Sequence, residues 1–101
     1  MNGKTVLIID DDTDLLHLVS HIFQKEGAQT ITASREMEGM SKLFTHHPDL
    51  IILDVILPEA NGFEICRRIR QVSDVPLIML TALNKEQEML QGLDAGADDF
   101  L

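Results

Sequence analysis

Apolar residues along this chain follow two alternating rhythms. Runs of strand length occur at residues 4–9, 29–33, 50–53, 76–80 and 97–101, the first rich in β-branched side chains and the third uniformly apolar. Between them lie amphipathic stretches of helix length. The first covers residues 13–26, with a stripe of Leu15, Leu16, Val19, Ile22 and Phe23, an N-cap at Asp12 or Thr13, and Gly27 just past its end. Ser34 is placed to cap a second, whose inward positions are Met37, Met40, Leu43 and Phe44 and which Pro48 stops. A third spans residues 63–72, with Ile65, Ile69 and Val72 on one face and Asn61 and Glu64 spaced as a capping box. Asn84 and Gln87 open a fourth, which turns Met89, Leu90 and Leu93 inward and ends at Gly96. Five strands alternating with four helices predict an α/β fold, a right-handed doubly wound parallel sheet. The unbroken apolar run at 50–53 suits a central strand buried on both faces.

Composition narrows the functional classes. With 101 residues the chain is the size of one domain, and 45% apolar with 25% charged residues is a globular balance. Eight Lys and Arg against 17 Asp and Glu give a formal charge of −9. Such a surface argues against direct contact with nucleic acid or an anionic membrane. A single cysteine, Cys66, forms no internal disulfide and reads as a small buried residue. The apolar run at 6–9 is cut by Asp10 and is too short for a signal peptide or membrane span, so a cytoplasmic location is expected. The fifth strand is cut short and no helix follows it, which leaves one sheet face without a cover; a continuing polypeptide or a partner is expected to supply it.

The carboxylates carry the chemistry. In doubly wound sheets, ligands bind beyond the carboxyl ends of the strands. Asp10, Asp11 and Asp12 follow the first strand, Asp54 follows the third, and Thr81 follows the fourth. If the first and third strands are neighbours, Asp10 or Asp11 converges with Asp54 on one site, with the Thr81 hydroxyl nearby. Gathered carboxylates repel one another and need protons or a cation; hard oxygen donors suit Mg²⁺. Mg²⁺, a free carboxylate and a hydroxyl donor are the parts needed for phosphoryl transfer to an aspartate. Asp12 and Asp14 read instead as acids of the first helical turn. His17 and His21 have metal-compatible spacing but no further ligand near in sequence, His46 and His47 read as solvated turn residues, and the methionines as core filler. Arg67, Arg68 and Arg70 read as a solvated helix face favoured by the helix dipole.

The stretches LIIDDD at 7–12, LIILDVILPEANGFE at 50–64, PLIMLTA at 76–82 and GADDFL at 96–101 together resemble the receiver domain of two-component response regulators. Each is weak alone; their joint order and spacing over nearly the whole chain is specific. The resemblance implies the flavodoxin-like strand order 2-1-3-4-5 for one receiver domain over residues 1–101, lacking its final helix. It implies Asp54 as phosphoacceptor for a sensor histidine kinase. Asp11 would hold Mg²⁺ directly and Asp10 through water, with Asp54 and the backbone carbonyl of Ile56 completing the set. Thr81 would be the switch hydroxyl, Phe100 the aromatic that follows it, and Pro58 and Gly62 would shape the loop over the site. The output would be a domain beyond residue 101 or a separate effector, and a homodimer is compatible with the family. The family's lysine after the aromatic lies past the end of this chain. Apolar Ile56 and Leu83 at the site's edge are expected to keep a hydrolytic water away and lengthen the phosphoryl lifetime. A haloacid-dehalogenase-type phosphohydrolase fits less well, because Asp14 stands where its motif has threonine.

Overall fold

The computed structural model describes residues 1–55, 57, 61–80 and 94–100, the last two through their backbone. In chain order the elements are β1 Thr5–Ile9, α1 Thr13–Lys25, β2 Gln29–Ala33, α2 Glu36–His46, β3 Leu50–Asp54, α3 Gly62–Arg70, β4 Leu77–Leu80 and β5 Asp99–Phe100. All strand pairs are parallel and the sheet order is β2-β1-β3-β4-β5, the order the resemblance implies. Of the expected fourth helix, residues 84–93 lie outside the described ones, and Asp94, just before its expected end, is helical.

The alternation of side chains along each strand splits the core into two layers. Leu7, Ile9, Ile51, Leu53, Leu77 and Met79 face α2 and α3 and pack with Leu43, Phe63, Ile65, Cys66 and Ile69. Val6, Ile8 and Ile52 face the other way, against Leu16 of α1, with Val19, Phe23, Ile78 and Leu80 partly buried around them. Cys66 is fully buried, as its place in the apolar pattern suggests. Burial pushes its thiol pKa up, which keeps it protonated.

Several expectations need correction. Arg35, not Ser34, is the N-cap of α2; it is extended and makes no side-chain cap bond. The Ser34 amide instead donates to Glu38 Oε1 at 2.8 Å. Met37, Phe44 and Ile22 are exposed although the periodicity turned them inward. They lie on the flanks of their helices. On α2 the true contact face is centred on Gly39 and Leu43, both buried. A Cβ at Gly39 would stand 2.6 Å from Ile9 Cδ1, so any larger residue there requires the Ile9 side chain to shift. Val72 is exposed because α3 ends two residues before it, at Arg70. Met37 is 83% exposed, so the methionines are not uniformly core. The arginines of α3 are not merely solvated: Arg68 pairs with Glu36 of α2, and Arg70 turns onto backbone carbonyls. His46 and His47 are exposed as expected, with His47 closing α2 in a left-handed conformation.

Candidate functional site

Three carboxylates meet where β1 and β3 end. Parallel pairing sets Ile9 against Leu53, so the next residues, Asp10 and Asp54, stand level on adjacent strands. The Asp10 amide still donates to Ala33 O of β2 at 2.9 Å, which holds Asp10 to the sheet although β1 has ended. Its side chain is fully buried. Asp54 is half-buried and Asp11 exposed. Carboxylate oxygens of Asp10, Asp11 and Asp54 all lie within 4.8 Å of one another, so the structure gathers the three acids read from the strand tips.

Neighbouring elements hold this arrangement. Asp12 Oδ1 accepts from Leu15 N at 3.2 Å and caps α1, the structural role expected of it, while Asp14 sits in the first turn. The Asp12 amide donates to Asp10 Oδ1 at 3.0 Å and so orients the buried carboxyl. Beyond β3 the chain turns back on itself, with Gly62 N donating to Val55 O at 2.6 Å. Asn61 Oδ1 accepts from Glu64 N at 3.0 Å and starts α3 there. A Cβ at Gly62 would clash with the Asp54 carbonyl oxygen and stand 2.7 Å from Val55 Cα. Glycine at 62 is therefore what lets α3 begin directly under the Asp54 backbone. On the other side, Asp54 pairs with Leu80 in β4, and Val55 N donates to Leu80 O at 3.0 Å.

The electrostatics are those of an unneutralised acid cluster. The Asp10 pKa is pushed up from 3.8 to about 7, first by burial, then by side-chain hydrogen bonding with Asp54 and by the charges of Asp54 and Asp11, with the Asp12 amide pulling the other way. Asp10 Oδ2 is buried without a hydrogen-bond partner among the described residues. A buried carboxylate oxygen with no donor calls for a proton or a cation. Three hard oxygen donors, one preoriented by a backbone amide, fit a small divalent cation of the Mg²⁺ class.

Ile56, Pro58, Thr81 and Leu83, to which the resemblance assigns roles, lie outside the described residues. Phe100 belongs to β5 by its backbone, level with Met79 of β4. His17 and His21 are exposed on α1, and the described residues contain no cluster of three metal ligands other than the Asp10 group. The depth of Asp10 was not foreseen; its signal was its position as the direct continuation of four fully buried residues.

Comparison with known proteins agrees with this geometry. The sequence profile of the response regulator receiver domain matches residues 6–101. The chain is 39% identical over 100 residues to the alkaline phosphatase synthesis transcriptional regulatory protein PhoP of Bacillus subtilis, covering 98% of this chain and 42% of that protein. It is 41% identical to the DNA-binding dual master transcriptional regulator RpaA of Synechocystis, covering 95% of this chain and 41% of that one. The chain thus spans less than half the length of these curated relatives. Among solved structures, a two-component response regulator from Clostridium difficile superposes with a TM-score of 0.94 at 32% identity, covering 98% of this chain and 82% of the other. The chemotaxis protein CheY4 of Vibrio cholerae does so with a TM-score of 0.92 at 32% identity, covering 97% and 84%. The chain belongs to the response regulator receiver domain family.

Proposed function

We propose that this receiver domain is a phosphorylation-dependent switch in which Asp54 accepts a phosphoryl group from a phosphohistidine of a sensor kinase. A carboxylate oxygen of Asp54 forms the new bond to phosphorus, the phosphorus–nitrogen bond to the histidine breaks, and the leaving imidazole takes up a proton. The observation that carries this reading is the meeting of Asp10, Asp11 and Asp54 within 4.8 Å at the carboxyl ends of two adjacent parallel strands. Of the three, Asp54 is the half-buried one, open to an incoming group, while Asp10 is enclosed.

Asp10, Asp11 and Asp54 would hold Mg²⁺, which when bound neutralises the cluster and the charge of the transferring phosphoryl group. The rest of the reading falls to the chain. The Asp12 amide fixes the Asp10 carboxyl, and Gly62 lets the start of α3 lie against the backbone of Asp54. The Ile56 carbonyl as a further metal donor, Thr81 as switch hydroxyl, Phe100 as its follower and Pro58 as a loop former remain part of the proposal by resemblance. The domain is a signalling switch and not an enzyme with an external product. It acts in the cytoplasm on an output domain or separate effector; relatives named as transcriptional regulators support such an output. Among the described residues no helix is long and apolar enough to cross a membrane.

The test is intact mass after incubation with acetyl phosphate and Mg²⁺. One phosphate adduct is expected for the native chain and none for Asp54→Asn or for the native chain in chelator. Equal labelling of native and Asp54→Asn protein would overturn the assignment.

A further inference from the structure

Among the described residues β5 meets β4 in two register pairs, Ile78 with Asp99 and Met79 with Phe100. Ala95 and Ala97, which precede it, are buried, but methyl groups remove little apolar area from water.

A side-chain device also holds this segment. Arg70, the last residue of α3, spreads its guanidinium over four partners, one of them Ser73 O, to which Nη1 donates at 3.4 Å. Nε donates to Gly96 O at 2.7 Å, Nη1 to Val75 O at 2.6 Å and Nη2 to Asp98 Oδ2 at 2.7 Å. The same Asp98 oxygen accepts from Leu77 N, the first amide of β4, at 2.8 Å, and Asp98 N returns a bond to Leu77 O at 2.8 Å. Gly96 has φ +107°, and a Cβ there would stand 2.7 Å from Arg70 Cγ, so glycine both makes the turn and leaves room for the arginine stem. One planar fork thus joins the end of α3, the approach to β4 and the approach to β5.

We infer that Arg70 is a clasp: its hydrogen bonds tie residues 94–100 to the end of α3 and to β4, and without them this segment opens as its own unit while β1, β2 and β3 stay paired. Opening bares the edge of β4, so the clasp controls whether that edge is available for pairing. The inference does not depend on phosphoryl chemistry at Asp54.

Hydrogen exchange read by mass spectrometry on the whole chain tests it, comparing native protein with Arg70→Met and Arg70→Lys. Arg70→Met is expected to speed exchange of peptides covering 94–100 about tenfold, the scale of one lost charge-assisted bond. Peptides from β1 and β3 are expected to keep their native rates. Arg70→Lys, which keeps the charge and loses the fork, is expected to fall between. Asp98→Asn is expected to speed the same segment, by less than Arg70→Met. Acceleration spread evenly over all strands, or no acceleration at 94–100, would overturn the clasp.

Discussion

Asp10 concentrates the tension of the site, because the fold buries it beside two other carboxylates. Its pKa of about 7 in the fold stands against 3.8 in the ordinary state, so the folded protein binds this proton more tightly than the unfolded chain does. Unfolding therefore becomes easier as pH rises from about 4 to about 7 in the metal-free protein, with no further loss from this group above that. Thermal denaturation in chelator across this window checks the slope. Asp10→Asn keeps an oxygen for the Asp12 amide and removes the charge. It is expected to raise metal-free stability at pH 8 by about 1–3 kcal/mol, the scale of a buried unsatisfied polar group. The same variant should lose most of its response to Mg²⁺. A variant that melts below the native protein at pH 8 in chelator would contradict this view of Asp10.

Close approaches at glycine set the geometry of the elements. Gly39 seats α2 on Ile9, and Gly62 seats α3 under Asp54. Gly39→Val is expected to destabilise by about 1–3 kcal/mol, since its side chain would force Ile9 from its place; chemical denaturation measures the difference. Phe44→Ser on the exposed flank of the same helix is expected to change stability by less than about 0.5 kcal/mol. The strands were legible in the sequence because residues buried on both faces form unbroken apolar runs, and an aspartate ending such a run marks its carboxyl tip. The cap at Asp12 and the start of α3 at Asn61 were legible because each supplies a side-chain oxygen where amides lack partners. The helix faces were less so. A 3.6-residue period identifies an apolar side but not how far round it the sheet reaches, so Ile22, Met37 and Phe44 were turned inward when they lie on the flanks. Gly39 went unread because a residue without a side chain leaves no mark in a hydrophobic pattern. Arg70 reads from the sequence only as part of a solvated helix face, because its partners, the carbonyls of residues 73, 75 and 96 and the Asp98 carboxylate, are brought near it only by the fold.

Across the whole molecule, parallel pairing converts sequence distance into a site: residues 10 and 54 become neighbours because β1 and β3 run side by side. The proposed cation then acts on the entire fold, since a ligand bound only by the native state stabilises all of it. Mg²⁺ at about a hundred times its dissociation constant is expected to add about 2.7 kcal/mol to unfolding free energy, read as a rise in melting temperature that Asp11→Asn abolishes. The sheet order and the acid cluster are therefore two aspects of one arrangement, and the phosphoacceptor assignment stands or falls with them. The most direct measurement is borohydride reduction of the chain after acetyl phosphate treatment, followed by peptide mapping, because reduction of an acyl phosphate converts that aspartate to homoserine. Homoserine at position 54 alone, dependent on Mg²⁺, is the predicted result; homoserine at position 10 or 11, or at none of the three, would contradict the account.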